Sequence, residues 1–346
     1  MDKMKVVKHG ILLEKSGAEF DNEGVLNPGT TKGFEGYHLL YRAVSKGNHS
    51  SIGYCKLKHP LNIQHRELEP VMVPEMDFEQ QGLEDPRLVK IEDTFYITYT
   101  GFDGVNALGA LATSKDLKIF ERKGVIVPQI NYIEFNALTE TNTALNEKYS
   151  RYNANGNLTE KLGKKVYVWD KNVVLFPRKI NNQFYFLHRI KPDIQIAWVT
   201  DWADLTATYW HNYFLNLDKY IVLSPKFTHE ISYIGGGCPP IETEAGWLII
   251  YHAVHDTING YVYSACAALL DLANPEIELA RLPYVLFEPD LDWELEGVVN
   301  NVCFPTGTLL LNDTLYIYYG AADDKIACAS VSLKSLLQEL LLNKIL

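Results

Sequence analysis

Five segments of this 346-residue chain repeat one plan, in which a proline is followed by a short strand, a polar turn and an apolar strand ending in a ring side chain. Each proline lies 11 to 14 residues before its ring. The pairs are Pro28 with Tyr41, Pro86 with Tyr99, Pro177 with His188, Pro240 with Tyr251, and Pro305 with Tyr319. Such repetition decides the fold class, because a small unit can bury its apolar face only against its neighbours.

A second pair of strands is predicted after each ring, for example at residues 51–57 and 325–331. Five units of four strands predict an all-β fold, namely a five-bladed β-propeller that forms a single domain over residues 1–346. A pair of β-sandwiches is the competing all-β arrangement, but it does not account for five equivalent hairpins.

Two stretches fall outside the repeat. The second and third rings are 89 residues apart, the longest interval, which indicates an insertion at about residues 126–165. Because this stretch is polar, we expect an exposed excursion near the site. Residues 332–346 are predicted to form the only convincing helix, with Ser332 as N-cap. We expect this helix to pack on the outside of the propeller or on a partner subunit, so a homo-oligomer is left open.

Charge and cysteine content narrow the classes of partner. The formal net charge is −11 and there is no basic stripe, which argues against a nucleic-acid partner. The five cysteines form no Cys-x-x-Cys pair, so we expect reduced thiols and a cytoplasmic location. No apolar run approaches the ~20 residues that cross a bilayer, and no membrane partner is expected.

Equivalent positions of successive blades converge on the axis of a propeller. The residues that this rule brings together are Asn27, Arg42, Asp85, Arg87, Asp103, Lys171, Arg189, His252 and Asp323. They predict acidic groups on one side of the axis and basic groups on the other. This division suits a ligand with a polyol part and an anionic part, because Arg and Lys form charge-assisted hydrogen bonds to oxyanions. The glycines at 235–237 would let backbone N–H groups approach it closely.

Each candidate also has a structural interpretation. Asp85 and Asp103 stand at turns, where an aspartate commonly caps the backbone. Arg189 could form a salt bridge between blades, Lys171 could be a solvated surface lysine, and a lone His252 is more often a hydrogen-bonded core residue. A second histidine lies three positions further along the predicted strand and would point to the opposite face, so no metal site is predicted.

Specific motifs accompany these residues over nearly the whole chain. They are Leu26-Asn27-Pro28-Gly29, Glu84-Asp85-Pro86-Arg87, Tyr99-Thr100-Gly101-Phe102-Asp103, Gly235-Gly236-Gly237 with Pro239-Pro240, Tyr251-His252, and Gly320-Ala321-Ala322-Asp323. With them the chain resembles glycoside hydrolase family 130, the β-mannoside phosphorylases and their relatives. The resemblance implies a five-bladed propeller that cleaves β-1,2- or β-1,4-linked mannosides with inversion. Inorganic phosphate would be the co-substrate, α-mannose 1-phosphate the product, and no cofactor would be needed.

The resemblance also implies roles for individual residues. Asp103 matches the family's single proton donor, which acts through the 3-hydroxyl of the bound mannose while phosphate attacks the anomeric carbon from the opposite face. Lys171, Arg189 and His252 match phosphate-binding positions, and Tyr233 stands where a lysine is common. The residues expected to bind the sugar are Asn27, Arg42, Asp85, Arg87 and Asp323.

Two other functions stay open from the sequence. Some members of the family are hydrolases, and Glu230 lies near enough in the sequence to activate water in an inverting β-mannosidase. A non-catalytic propeller that binds oligosaccharide is the third hypothesis. The three basic positions favour phosphorolysis, and dependence of turnover on phosphate would separate the hypotheses. The linkage, the acceptor sugar and the preferred chain length are not determined by the sequence.

Overall fold

The computed structural model describes residues 4–33, 36–140, 142–154 and 165–345, which are folded mainly into antiparallel β-sheet. The all-β prediction is therefore confirmed. In chain order the first strands are β1 (Val7–Leu13), β2 (Gly24–Lys32), β3 (Tyr37–Ser45), β4 (His49–His59), β5 (Asn62–Arg66), β6 (Gly82–Ile91), β7 (Thr94–Phe102), β8 (Ala107–Ser114) and β9 (Glu121–Val125). They are followed by β10 (Lys171–Leu175), β11 (Phe184–Arg189), β12 (Ile194–Val199) and β13 (Ile221–Leu223). The remaining strands are β14 (Tyr233–Gly236), β15 (Ile241–Thr243), β16 (Gly246–Thr257), β17 (Gly260–Leu270), β18 (Glu278–Arg281), β19 (Cys303–Leu311), β20 (Thr314–Ala321) and β21 (Lys325–Ser332).

These strands pair into four sheets. They divide into five antiparallel units, because the eight-stranded sheet joins two of the units through a single parallel pair, Ser50 with Gly82. Unit one is β2 to β5, unit two β6 to β9, unit three β10 to β13, and unit four β14 to β18, in which β14 and β15 both pair with β16. Unit five contains β19 to β21 together with β1, which pairs with β21.

Three of the predicted hairpins begin a unit, with Pro28 in β2, Pro86 in β6 and Pro305 in β19. In units three and four a strand precedes the proline, because β10 ends before Pro177 and β14 ends before Pro240. The repeat seen in the sequence thus corresponds to a structural repeat with a shifted start in two units.

Turn chemistry explains where the hairpins reverse. The turn between β6 and β7 consists of Glu92 and Asp93, and Glu92 has a φ of 53°. In unit three, Asn181 and Asn182 both have positive φ, as a type I′ turn requires. Asparagine tolerates this left-handed region better than most residues, because its short side chain can hydrogen-bond locally.

Apolar contacts between neighbouring units form the core. Within the described residues, five buried clusters each combine side chains from two units. Four of these clusters join units that follow one another in the chain, and the fifth joins unit five to unit one, where Tyr318 packs in one cluster with Leu39. The inner strand β2 contacts both β6 and β19, and β10 contacts both β6 and β14.

Helices occupy more of the chain than the sequence predicted. They are α1 (Tyr132–Thr139), α2 (Lys148–Tyr152), α3 (Ala207–Phe214), α4 (Asp292–Leu295) and α5 (Leu333–Leu342). The expectation of a single helix was wrong, because the aromatic side chains of α3 concealed its helical spacing and its Thr206 N-cap. None of these helices within the described ranges has the length and apolarity that crossing a membrane requires.

The predicted insertion at 126–165 contains α1 and α2, and its residues 155–164 lie outside the described part of the chain. The described part is not an exposed excursion. Phe135 of α1 is fully buried, and its ring meets that of Phe214 in α3 edge to face at 5.3 Å. Tyr149 of α2 is buried in the same cluster. The insertion is therefore anchored to unit three by aromatic packing.

The C-terminal helix α5 begins directly after its predicted N-cap. The Ser332 hydroxyl accepts a hydrogen bond from the Ser335 N–H at 3.1 Å, which satisfies one of the free donors of the first turn. Leu336 and Leu340 are fully buried in the cluster that units four and five share. Packing on the outside of the β units is thus the arrangement observed.

Candidate active site

Three inner strands are interrupted by bulges at equivalent positions. Asn27 in β2, Asp85 in β6 and Asn172 in β10 have φ values of 51°, 52° and 57°, and the strand pairing shifts register beside each of them. A bulge of this kind re-aims a side chain that would otherwise alternate with its neighbours across the sheet. All three side chains line one central cavity of about 240 Å³.

Seven of the residues that the sequence suggested line this cavity. They are Asn27, Arg42, Asp85, Lys171, Arg189, Tyr233 and Asp323. These residues come from all five units, so residues up to 296 positions apart in the chain share one polar space. The predicted convergence of distant residues is therefore observed for this set.

One side of the cavity is formed by hydrogen-bonded acids and amides. The Asn27 amide donates to the Asp85 carboxylate at 2.6 Å. Arg42 forms an ion pair with Glu84 at 2.9 Å and lies 4.0 Å from Asp85. Burial by itself would raise the pKa of Asp85, but the charges of Arg42, Lys171 and Arg87 lower it below its ordinary value. Asp85 therefore stays ionised and can accept hydrogen bonds from hydroxyl groups.

Asp323 behaves in the opposite way to Asp85. Burial raises the pKa of Asp323 to about 6, against the opposing effect of the Arg42 charge, and the negative charge of Asp85 adds to the rise. Two carboxyl groups that share a site cannot both ionise easily. Near pH 6 this wall thus holds one acid that stays charged, Asp85, and one acid that is about half protonated, Asp323.

The rest of the polar lining of the cavity is basic. It contains Lys171, Arg189 and Lys191, together with the amide of Asn172. Lys171 also lies 3.9 Å from Glu84, so it stands where the acidic and basic sides meet. Arg189 is only 4% exposed, and its Nε atom has no hydrogen-bond partner among the described residues. Neither polar atom of the Asn172 side chain has a partner there either. Buried polar groups are nearly always satisfied, so these free groups indicate that a ligand completes the site.

Two tyrosines border the basic side. Tyr233 and Tyr263 lie at the cavity, and their hydroxyl oxygens are 2.6 Å apart in a mutual hydrogen bond. Burial raises the pKa of both hydroxyl groups above the ordinary value. The two residues therefore stay neutral and can contribute hydrogen bonds but no charge.

His252 lies behind the wall of the cavity rather than on it. It is fully buried, its ring centre is 4.4 Å from that of Phe304, and neither ring nitrogen has a partner within the described structure. Burial lowers the pKa of His252 well below its ordinary value, and the charges of Arg189 and Arg87 lower it further. Burial therefore favours the neutral imidazole rather than the positive charge expected at this position, and the part of His252 in binding phosphate stays a prediction.

Arg87 is also placed differently from the expectation that it contacts the sugar. Its side chain is buried beneath the cavity wall, where Nε donates to the Gly237 carbonyl at 2.6 Å and a terminal nitrogen donates to the Asp85 carbonyl at 2.6 Å. Arg87 therefore ties the Asp85 bulge to unit four. The glycine run beside it is required by packing, because a Cβ atom at Gly235 would lie 2.5 Å from the His252 ring.

Asp103 does not line the cavity. It lies in the loop after β7, where Oδ1 accepts hydrogen bonds from the N–H groups of Val105 at 2.8 Å and Asn106 at 2.6 Å. Oδ2 accepts from the Asn106 amide at 2.9 Å. The indole of Trp169, which lines the cavity, donates to the Val105 carbonyl at 2.8 Å. The Asp103 loop is thus attached to the rim of the cavity through one tryptophan.

Glu230 is placed where it cannot activate water in the cavity. It is fully buried and accepts hydrogen bonds from the Tyr251 hydroxyl at 2.5 Å and from two backbone N–H groups. Arg281 forms an ion pair with it at 3.2 Å. The proposal that this carboxylate serves a hydrolase is corrected, because all of its contacts are structural.

The arrangement at Glu230 recurs in other units. In units one, two, four and five, the repeated tyrosine donates to a buried carboxylate that also pairs with a cation. The sets are Tyr41 with Asp21 and Arg66, Tyr99 with Glu79 and Arg122, Tyr251 with Glu230 and Arg281, and Tyr319 with Glu294 and Lys8. In unit three, His188 takes the place of the tyrosine and pairs with Asp170 at 2.7 Å. The ring of the repeat is therefore a structural anchor.

Seven residues that line the cavity were not predicted from the sequence. They are Trp169, Asn172, Lys191, Tyr263, Val299, Val302 and Phe304. Asn172 could have been found, because it occupies the position in unit three that Asn27 and Asp85 occupy in units one and two. Lys191 gave no such signal, since it lies in the connection after β11, where the repeat offers no equivalent.

Known proteins are similar to this chain in sequence, and solved structures are similar to it in fold. The chain is 34% identical over 338 residues to a 1,2-beta-oligomannan phosphorylase of Thermoanaerobacter sp. (strain X514), which covers 94% of this chain and 96% of that protein. It is 33% identical over 330 residues to a beta-1,2-mannobiose phosphorylase of the same organism, and this match covers 90% of this chain and 91% of that protein. A solved structure of beta-1,2-mannobiose phosphorylase from Listeria innocua, in complex with beta-1,2-mannobiose, superposes with a TM-score of 0.73 at 23% identity, over 98% of this chain and 100% of that one.

The family itself is identified by a sequence profile. The profile of glycoside hydrolase family 130, described as beta-1,4-mannooligosaccharide phosphorylase, matches residues 13–341. This match spans every residue that lines the cavity and every strand from β2 to β21, and it begins at the last residue of β1. The chain belongs to glycoside hydrolase family 130.

Proposed function

We propose that this chain is an enzyme that cleaves β-mannosides by phosphorolysis and releases α-mannose 1-phosphate. The observation that carries the proposal is the division of a single cavity into an acid and amide side and a basic side. A sugar offers hydroxyl donors to the first side, and an oxyanion accepts charge-assisted hydrogen bonds from the second. The names of the similar proteins support this assignment, because both relatives that match at least 90% of the chain are mannan or mannobiose phosphorylases.

The fold proposed for this function is a closed five-bladed β-propeller that forms one domain. Its support is the cyclic order of the apolar clusters, in which unit five packs against unit one as each other unit packs against the next. The pairing of β1 with β21 joins the two ends of the chain within one unit. In such a ring the inner strands surround one axial cavity, and this is the geometry that the site requires.

The sugar is assigned to Asn27, Arg42, Asp85 and Asp323. Asp85 remains charged and Arg42 is held by Glu84, so both present defined acceptors and donors to hydroxyl groups. Phosphate is assigned to the basic side, with Lys171 and Arg189 as cations. His252 would act as a neutral group beneath that side, and Tyr233 would act through its ring and hydroxyl.

Asp103 is assigned as the proton donor. A donor that works through the 3-hydroxyl of the sugar need not reach the glycosidic oxygen, and this agrees with a carboxylate held in a loop beside the cavity rim. The proton passes from Asp103 to the 3-hydroxyl oxygen while the proton of that hydroxyl moves to the leaving oxygen. A phosphate oxygen forms the new bond to the anomeric carbon as the glycosidic bond breaks. No general base is needed, because phosphate is already an anion.

The relatives favour β-1,2-linked mannosides as the substrate class. Both proteins that match at least 90% of this chain carry that linkage in their names. A beta-1,4-mannooligosaccharide phosphorylase from Ruminococcus albus matches a smaller share of this chain, 71%. The β-1,4 linkage in the description of the family profile makes it the natural comparison substrate.

The test is product analysis with purified protein. β-1,2-mannobiose and β-1,4-mannobiose are each incubated with and without inorganic phosphate, and the products are separated by anion-exchange chromatography. We expect mannose 1-phosphate only when phosphate is present, and faster release from the β-1,2 disaccharide. Free mannose formed at the same rate without phosphate would reject phosphorolysis in favour of hydrolysis. Faster release from the β-1,4 disaccharide would contradict the proposed preference for the β-1,2 linkage but not phosphorolysis itself.

A further inference from the structure

Lys191 is a cation of the basic side that none of the sequence motifs includes. It lies two residues beyond the end of β11, and its Nζ atom is 3.8 Å from the centre of the Tyr233 ring and 5.7 Å from that of Tyr152. The side chain is partly buried and lines the cavity. Among the described residues it has no carboxylate partner, so its charge is available to a ligand.

Tyr233 accounts for the position of this amine. The Tyr233 hydroxyl is already engaged with Tyr263 at 2.6 Å. The ring face is occupied by cations, with Lys191 at 3.8 Å and the Arg189 guanidinium at 5.3 Å. A cation on an aromatic face is held in place without being neutralised.

The charges around Lys191 make an anion a favourable partner. Lys171 and Arg189 line the same cavity and repel a third cation. Burial lowers the pKa of Lys191 to about 7, and the charges of Arg189 and Lys171 contribute to this fall. A dianion bound among the three would relieve the repulsion and favour the charged amine.

We propose that Lys191 is a cationic ligand of the phosphate, supported on the face of the Tyr233 ring. This inference rests on the proposed function, because it assumes that inorganic phosphate enters this cavity. It adds a residue from the connection after β11 to an anion site otherwise built on strands.

The affinity of this site for an anion should depend on pH. The groups that face the amine are Tyr152 of α2, Tyr233 of β14, Lys171 of β10 and Arg189 of β11. The two tyrosines have raised pKa values, so neither gains charge near neutrality. Below about pH 7 the amine already carries its proton, whereas above it the anion must bind together with a proton. Affinity for an anion of constant charge should therefore fall as the pH rises past 7.

The experiment measures equilibrium binding of inorganic sulfate by calorimetry at pH 6 and pH 8.5, because sulfate keeps its charge over this range. Lys191→Met removes the charge but keeps the apolar stem against Tyr233. We expect sulfate affinity at pH 6 to fall about tenfold, as for a lost charge-assisted hydrogen bond, and the dependence on pH to flatten. The double variant Lys191→Met, Tyr233→Lys should recover affinity, because it returns the charge to the neighbouring position.

Lys179 offers a matched control. Its Nζ atom lies 4.4 Å from the centre of the Phe184 ring, and it is not among the residues that line the cavity. Lys179→Met should leave both the affinity for sulfate and its dependence on pH unchanged. Wild-type affinity in Lys191→Met, or an unaltered pH dependence, would overturn the inference. Thermal unfolding of each variant checks that the protein is folded.

The same measurements separate this inference from the proposed function. One outcome is that Lys191→Met binds sulfate more weakly than wild type, while wild type releases no mannose 1-phosphate from any mannobiose. In that case the anion site stands and the proposed reaction is wrong. If phosphorolysis proceeds and the Lys191→Met variant retains the wild-type affinities for sulfate and phosphate, the reaction stands and the role of Lys191 is wrong.

Discussion

The side-chain amide of Asn27 donates a 2.6 Å hydrogen bond to the carboxylate of Asp85, which joins two inner strands at equivalent bulges 58 residues apart. The other polar atom of Asn27, Oδ1, is buried beside Gly320 and has no partner within the described ranges. The orientation of Asn27 is thus set by Asp85 on one side and by the absence of a side chain at Gly320 on the other.

Gly320→Ala should impair turnover by displacing Asn27. A Cβ atom at position 320 would lie 2.1 Å from Asn27 Oδ1 and 3.2 Å from the Asn27 backbone nitrogen. Since a shift of about 1 Å at a positioned group can cost ~100-fold in rate, we expect kcat/KM for mannobiose to fall by up to that factor. Gly17→Ala is the control, because nothing lies within 4 Å of the added atom. Unchanged kcat/KM in Gly320→Ala would contradict a role for the position of Asn27 in the reaction.

Asp103→Asn should abolish proton donation while its loop loses only the hydrogen bond from the Asn106 amide to Oδ2. An asparagine Oδ1 can still accept from the Val105 and Asn106 N–H groups, as in an Asx turn. We expect kcat to fall by about 10²- to 10⁴-fold with little change in thermal stability. Asp116→Asn is matched, because Asp116 accepts from two backbone N–H groups in a turn after β8. Equal activity of the two variants would show that Asp103 stabilises a turn and does not donate the proton.

Arg189→Ala should raise the KM for phosphate. The arginine is 4% exposed and its Nε atom has no hydrogen-bond partner in the part of the chain that the structure describes, so a bound anion would be its partner. Loss of one charge-assisted hydrogen bond, ~1.5–3 kcal/mol, corresponds to a roughly 10- to 100-fold increase. Arg178→Ala removes an exposed arginine that pairs with Glu242 at 2.7 Å, and it should leave the KM unchanged. Steady-state kinetics at varied phosphate provide the measurement, and equal KM values for both variants would remove Arg189 from the anion site.

Glu230→Gln should destabilise the fold and spare the chemistry. The substitution removes the buried charge opposite Arg281 and weakens the hydrogen bond to Tyr251, whereas Arg281 keeps its ion pair with Glu278 at 2.6 Å. Because one partner of Arg281 remains, we expect a loss of about 2 kcal/mol in the free energy of unfolding, below the ~3–5 kcal/mol of a fully broken buried pair. Glu79→Gln is the matched variant, because Glu79 pairs with Tyr99 and Arg122 in the same way. Denaturant unfolding should show similar losses for both, with kcat of the folded enzymes retained. A selective loss of turnover in Glu230→Gln would restore a catalytic role.

Asp323→Asn should change how stability depends on pH. The pKa of Asp323 is about 6 in the folded protein against an ordinary value of 3.8, so the folded state binds this proton more tightly than the unfolded chain. The group thus contributes stability below about pH 4 that is lost as the pH rises towards 6. Unfolding between pH 3.5 and 7 should show this loss in wild type and in Asp324→Asn but not in Asp323→Asn. A loss of the same size in all three proteins would contradict the raised pKa.

The sequence alone was sufficient for the secondary structure of the repeat and for much of the cavity. Hairpins depend on local alternation and turn residues, both of which are visible in the order of the side chains. Because equivalent positions of repeated units meet, the repeat also predicted that Asn27, Asp85, Lys171, Arg189 and Asp323 share one space. The division into an acidic side and a basic side follows from their types.

Tertiary structure decided which side chains reach the cavity and what charge they carry there. Arg87, His252 and Glu230 have suitable chemistry, but burial behind the wall makes two of them structural and His252 neutral. Lys191 enters the cavity from an irregular connection to which no repeat applies. Side-chain direction depends on bulges and positive φ angles, and charge depends on burial and neighbouring ions. Both are properties of the assembled units, which residue spacing along the chain does not specify.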